Sequence, residues 1–179
     1  MTAPTPNVPA AAKLQFVDQY VFEFVHLPHP YNESDLKGAL VSQLGEFILE
    51  LGSDFVYRGR EYRVQVGNHD YFIDLLFFHR SLRCLVALEF KLGEFKPEYV
   101  SKMDLYLEAL DRDHRKEGEN PSVGIILCAN KDDEVVEFSL SRSLSPTMVS
   151  QYQLSLPDKS LLEKKMRELM EQKQLTTND

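Results

Sequence analysis

The chain has little cysteine, no long apolar run and no excess of positive charge, and each shortage removes a class of protein. Cys84 and Cys128 are its two cysteines, each inside an apolar strand-like run. They read as small core hydrophobes, not as a disulfide framework or a metal cluster. Runs such as residues 84–88 fall far short of the roughly 18–20 apolar residues that a membrane span needs. Residues 1–12 lack the basic and apolar segments of a secretory signal, so a cytoplasmic setting is the expectation. Lys and Arg number 20 against 28 Asp and Glu, a net charge of −8. That balance excludes a wholesale electrostatic nucleic-acid binder. There is no Gly-rich phosphate loop and no Ser-His-Asp spacing of note. What is present is core: 179 residues, 43% apolar and 11% aromatic, exclude a disordered chain and suit one domain. The Ala/Pro-rich residues 1–12 read as a disordered lead-in and residues 13–179 as a single domain.

Along the chain, Leu14, Val17, Val21 and Val25 have the spacing of a short amphipathic helix ending at Pro28 and Pro30. His26 and His29, around Pro28, could serve as ligands but read first as loop residues. The sequon Asn32-Glu33-Ser34 reads as a helix start, opening a helix with the stripe Leu36, Leu40, Leu44, Phe47 and Leu51 and a stop at Gly52. The period then changes to two. Residues 60–66 alternate, 71–78 are nearly continuous apolar strand, and residues 80–83 connect to a third strand at 84–91. Pro97 opens a helix to about residue 112 with Val100, Met103, Leu107 and Leu110 inward. A buried strand (123–128), a helix (132–140), a short strand (148–154) and a charged helix (160–172) follow. This order predicts an α/β sandwich around a mixed central sheet flanked by helices.

The informative residues are charges inside strands that otherwise look fully buried. Asp74 interrupts the 71–78 strand, and Glu89 and Lys91 end the next. An isolated buried carboxylate costs several kcal/mol unless it is paired, metal-bound or neutralised. With residues 80–83 as the loop, His79 opposes Cys84 and, in the same register, Asp74 opposes Glu89. Directly opposed side chains have Cβ atoms about 4.5–5.5 Å apart on one face, and Lys91 shares that face by the period of two. Two acids and one amine therefore converge at a sheet end. A divalent cation between the acids would remove their conflict and supply a Lewis acid. The alternative is a buried ion pair of Asp74 or Glu89 with Lys91 or Arg63.

An Asp on one strand and Glu-x-Lys on the next, between two helices, resembles the PD-(D/E)XK nuclease superfamily. The strings at 55–63, 71–79, 82–91, 94–99 and 120–128 look like the catalytic domain of the bacterial YhcG-like nuclease family, over roughly residues 18–165. The resemblance implies a restriction-endonuclease-like αβββαβ core. It implies that Asp74, Glu89 and the backbone carbonyl of Phe90 hold Mg²⁺, with Mn²⁺ able to substitute, and that Lys91 orients or deprotonates the attacking water. Superfamily members often add an acid from the first core helix. Glu46, at the flank of the stripe through Leu44 and Phe47, is the candidate, with Gln43 competing and a solvated carboxylate as the plain alternative. Many relatives place Gln-x-x-x-Tyr on the next helix. Here Lys102 and Tyr106 hold that spacing, sharing a helix face, and imply contacts to the scissile phosphate. Longer relatives carry a winged-helix-like domain ahead of this part, so the chain is read as a short member or a cut-down form.

The implied activity is metal-dependent endonucleolytic hydrolysis of DNA. The alternative is a silent nucleic-acid- or protein-binding module that keeps the fold. Residues 1–57 carry a net −5 and residues 58–100 a net +1. Arg58, Arg60, Arg63, Arg80 and Arg83 could form a phosphate-binding rim on an acidic protein, with Arg60 and Arg63 as the substrate-binding candidates. A separate DNA-reading module and a homodimer, needed to cut both strands together, are the other expected partners, with no membrane.

Overall fold

The protein is described from a computed structural model covering residues 12, 16–23, 25, 27, 30–154 and 166–171. A short strand β1 (Gln19–Val21) precedes two helices, α1 (Glu33–Ser42) and α2 (Leu44–Leu51). A meander β2 (Phe55–Val66), β3 (His69–His79) and β4 (Cys84–Glu94) leads to α3 (Glu98–Asp113). Strand β5 (Asn120–Asn130), helix α4 (Asp133–Leu140) and strand β6 (Thr147–Gln153) complete the order. The six strands form one mixed sheet, β1-β6-β5-β4-β3-β2, antiparallel across the meander and parallel from β4 to β1. This is the αβββαβ core expected from the sequence.

Both faces of the sheet are covered, which is why its central strands read as near-continuous apolar runs. On one face Leu36, Leu40, Phe47 and Leu51 pack on Phe77, Val86, Leu88 and Phe90. On the other, Val100, Met103, Leu107 and Leu110 pack on Leu76, Ala87, Ile126 and Val149. Gly124 on β5 permits the closest approach: a Cβ there would lie 2.6 Å from Met103 Cγ. No helix among the described residues is long and apolar enough to cross a membrane.

Two local expectations are corrected. The helix through Leu14, Val17, Val21 and Val25 is, over residues 19–21, a strand. Tyr20 and Phe22 are buried two residues apart while Val17 is half exposed, so a period of two competes with the helical spacing. The edge of β6 decides it by pairing in parallel, with Phe22 N–H donating to the Gln153 carbonyl. The helix 33–51 breaks at Gln43 (φ −118°, ψ 43°) into α1 and α2. Its start is as expected: Asn32 and Asp35 form a capping box, each side chain accepting the other's backbone N–H. Residues 166–171 are helical and exposed. The rest of the 160–172 helix, His26, His29 and the lead-in except buried Ala12 lie outside the described residues.

Candidate active site

The site is built where the central hairpin forks. The β3–β4 ladder runs from His79↔Cys84 to Leu75↔Leu88, the expected register, and stops one pair short of Asp74 and Glu89. Beyond that point β3 stays with β2 while β4 continues along β5. Side chains then satisfy what the ladder leaves open: Asp74 N–H donates to Glu89 Oε1 (3.0 Å) and Phe90 N–H to Asp74 Oδ2 (2.9 Å). The two acids are thus locked to each other's strand.

Strand alternation also slips at Asp74. Ile73 and Leu76 lie in one core cluster, and Leu75 and Phe77 in the other, which a strict period of two forbids. Opposite, Glu61 has φ of 45°, a left-handed conformation uncommon for a side-chain-bearing residue. The slip lets Asp74 reach helix α1, where Lys37 Nζ sits 2.7 Å from its Oδ1. Lys37 is also 3.0 Å from Glu33 Oε1, one helical turn back. Lys91 Nζ lies 3.9 Å from both Glu89 Oε2 and Glu33 Oε1, with its ammonium 4.9 Å above the Tyr99 ring. A one-residue irregularity in β4 follows Lys91, and Leu92 N–H donates there to Glu33 Oε2 (3.3 Å). Tyr152 on β6 donates its hydroxyl to the Lys91 carbonyl (3.0 Å), fixing the backbone from the other side.

The cluster opens into a cleft of about 710 Å³ bounded by α1, Arg60, Glu61, Asp74 and Phe90. Asp74 and Glu89 are both buried. Burial, and then the Asp74 charge, push the Glu89 carboxyl up to about 7. Burial alone would lower the Lys37 ammonium, but its bonds to Asp74 and Glu33 more than offset that and raise it.

The structure thus gathers Asp74, Glu89 and Lys91, and Arg60 lines the same cleft. Phe90 lines it too, whereas Glu46, Arg63, Lys102 and Tyr106 do not. Glu46 lies exposed on α2, because the break at Gln43 separates it from α1. The helix acid that reaches the site is Glu33. Read from sequence it is an ordinary first-turn carboxylate, yet it extends the buried Leu36–Leu40 face at spacings of three and seven, which was the available signal. Arg63 pairs with Asp70 (2.8 Å) on the exposed end of the β2–β3 hairpin. Tyr106 is buried and donates its hydroxyl to the Phe72 carbonyl (3.3 Å), so it holds β3. Lys102, exposed on α3, sits 5.7 Å from the Tyr106 ring centroid and lowers the Glu89 carboxyl through its charge, as Lys91 does more strongly. Arg83 is tied to the Gly118 carbonyl (3.1 Å).

Among the described residues no group of three or more His, Cys, Asp or Glu side chains is placed to hold a metal ion. Two adjacent buried carboxylates, with the Asp74 charge disfavouring ionisation of Glu89, nonetheless fit a hard cation that keeps most of its own waters, as Mg²⁺ does.

A forked hairpin presenting two acids and an amine beside a cleft is an arrangement suited to metal-assisted phosphodiester chemistry. Residues 13–169 match the family described as the YhcG PDDEXK nuclease domain, and the chain belongs to that family. It is 37% identical over 145 residues to a protein of Escherichia coli strain K12 named "Putative nuclease YhcG". That match takes in 81% of this chain and 39% of the relative's length. Two solved structures resemble it at 16% identity and a TM-score of 0.46. One is a repair endonuclease from Pyrococcus abyssi, with 74% of this chain and 50% of that chain covered. The other is an EndoMS–dsDNA complex, with 76% and 50% covered.

Proposed function

We propose that this domain hydrolyses DNA phosphodiester bonds as a divalent-metal-dependent endonuclease. The observation that carries the reading is the buried Asp74–Glu89 pair, cross-bonded at the fork, with Lys91 Nζ 3.9 Å from Glu89. Asp74 and Glu89 would hold Mg²⁺, or Mn²⁺ in its place, with the Phe90 carbonyl beside them and Glu33 within reach through its ion pairs. The cation would lower the pKa of a bound water and neutralise charge growing on the phosphate. Lys91, fixed by Tyr152 and Tyr99, would orient that water or, in its neutral amine form, accept its proton. Arg60 at the cleft wall, and Lys102 beyond it, meet the phosphate backbone. A separate DNA-reading part and a second copy, for cutting both strands together, complete the proposed assembly.

The second reading, a module that keeps the fold without cutting, draws on Lys37. Its ammonium already neutralises Asp74. Supercoiled, linear and branched DNA incubated with Mg²⁺ or with EDTA separates the two. The nuclease reading expects cleavage of at least one form with Mg²⁺, none with EDTA and none by Asp74→Asn. Intact DNA of every form, at saturating Mg²⁺ or Mn²⁺, leaves the silent module.

A further inference from the structure

The superfamily pattern asks for one amine at this site, and the structure has two. Charges alternate through the cluster: Asp74, Lys37, Glu33, Lys91 and Glu89 follow one another at separations of 2.7, 3.0, 3.9 and 3.9 Å. The crossed hydrogen bonds, Asp74 N–H to Glu89 and Phe90 N–H to Asp74, close the circuit between β3 and β4. Helical spacing accounts for Lys37 meeting Glu33, since i and i+4 are neighbours. It does not account for Lys37 reaching across the cleft to a buried acid on β3. The ammonium contacts one oxygen of each of two acids, and its side chain remains a quarter exposed on the cleft wall. A positive group on two hard oxygens beside open solvent stands as a cation would. An ammonium and a dication on the same Asp74 oxygen would repel each other strongly. Lys37 has a long flexible stem, so it can leave without moving α1.

We propose that Lys37 is the resident counter-ion of the cation-free site and competes with the divalent cation for Asp74. Entry of the cation beside Glu89 displaces the ammonium from Asp74 Oδ1 and leaves it on Glu33. Lys37 thereby sets the apparent cation affinity of the site and keeps the acids compensated while the site is unloaded. The inference rests on reading Asp74 and Glu89 as cation ligands.

Calorimetric titration with Mn²⁺, without DNA, compares wild type, Lys37→Met and Lys37→Arg. Lys37→Met should bind Mn²⁺ at least about tenfold more tightly, the usual scale of a charge-assisted bond, while Lys37→Arg stays within about threefold of wild type. In EDTA, Lys37→Met should melt below wild type, and saturating Mn²⁺ should close that gap. Nuclear magnetic resonance of the wild-type lysine side chains serves if Lys37→Met does not fold: the Lys37 Nζ signal should shift on saturation with Mg²⁺. Equal Mn²⁺ affinities for wild type and Lys37→Met, or a Lys37 signal unmoved by saturating Mg²⁺, overturn this inference alone. A wild-type protein that binds neither Mg²⁺ nor Mn²⁺ overturns the inference together with the metal-dependent reading.

Discussion

At the scale of single residues, Glu89 sits between two demands, a buried position and a neighbouring Asp74, and both favour its neutral form. Together they push its carboxyl up to about 7 in the folded chain, from 4.5 when unperturbed. The folded protein therefore keeps a proton that the unfolded chain has released over that interval. Stability of the cation-free protein should fall as pH rises from about 4.5 to about 7 and level off on either side. Glu89→Gln should flatten that slope and stabilise the protein at pH 8, by on the order of 1–3 kcal/mol. Urea denaturation in EDTA across pH 5–8 checks both. The two helix acids provide a second comparison. Glu33→Ala should weaken Mn²⁺ binding by about tenfold, whereas Glu46→Ala should leave it unchanged and alter stability by less than about 0.5 kcal/mol. The reverse order in a calorimetric titration would return the helix acid to Glu46. Asp74, Glu89 and Lys91 were legible in the sequence because charge inside apolar strands is costly. Glu33 and Lys37 were harder to read, because an acid in a helix's first turn with a lysine four residues on is also an ordinary surface pair, and only the spacing of Glu33 from Leu36 and Leu40 points it inward.

Among the elements, α3 follows the apolar periodicity closely, the meander strands follow it except for the slip at Asp74, and the β3–β4 register follows from the loop length. Tertiary pairing overrules periodicity at β1, where buried Tyr20 and Phe22 take the free edge of β6. The break at Gln43 was illegible for a related reason: the stripe Leu36, Leu40, Leu44, Phe47 and Leu51 runs on through it at helical spacing. Two substitutions test the elements that place the site. Asn32→Ala removes the capping box that starts α1 and should cost about 1 kcal/mol, with weaker Mn²⁺ binding because Glu33 is the first helical residue. Gly124→Val drives side-chain atoms into Met103, and thermal melting should show a loss of about 1–3 kcal/mol from overpacking α3 against β5.

For the whole molecule, the proposed activity asks a chain of net charge −8 to approach a polyanion. The structure distributes the arginine rim unevenly: Arg60 is at the cleft, while Arg63 and Arg83 are engaged elsewhere. Arg60→Ala should lower duplex affinity in the presence of Ca²⁺ by about three- to tenfold, and Arg63→Ala should not; fluorescence anisotropy at fixed salt reads the difference. The most direct test of the account is the Mg²⁺-dependent rate of DNA cleavage by Lys91→Ala beside the wild type, each protein first shown to bind the cation. The rate should drop by about 10²-fold or more, with cation affinity within a few-fold. Cleavage by Lys91→Ala at the wild-type rate would contradict it.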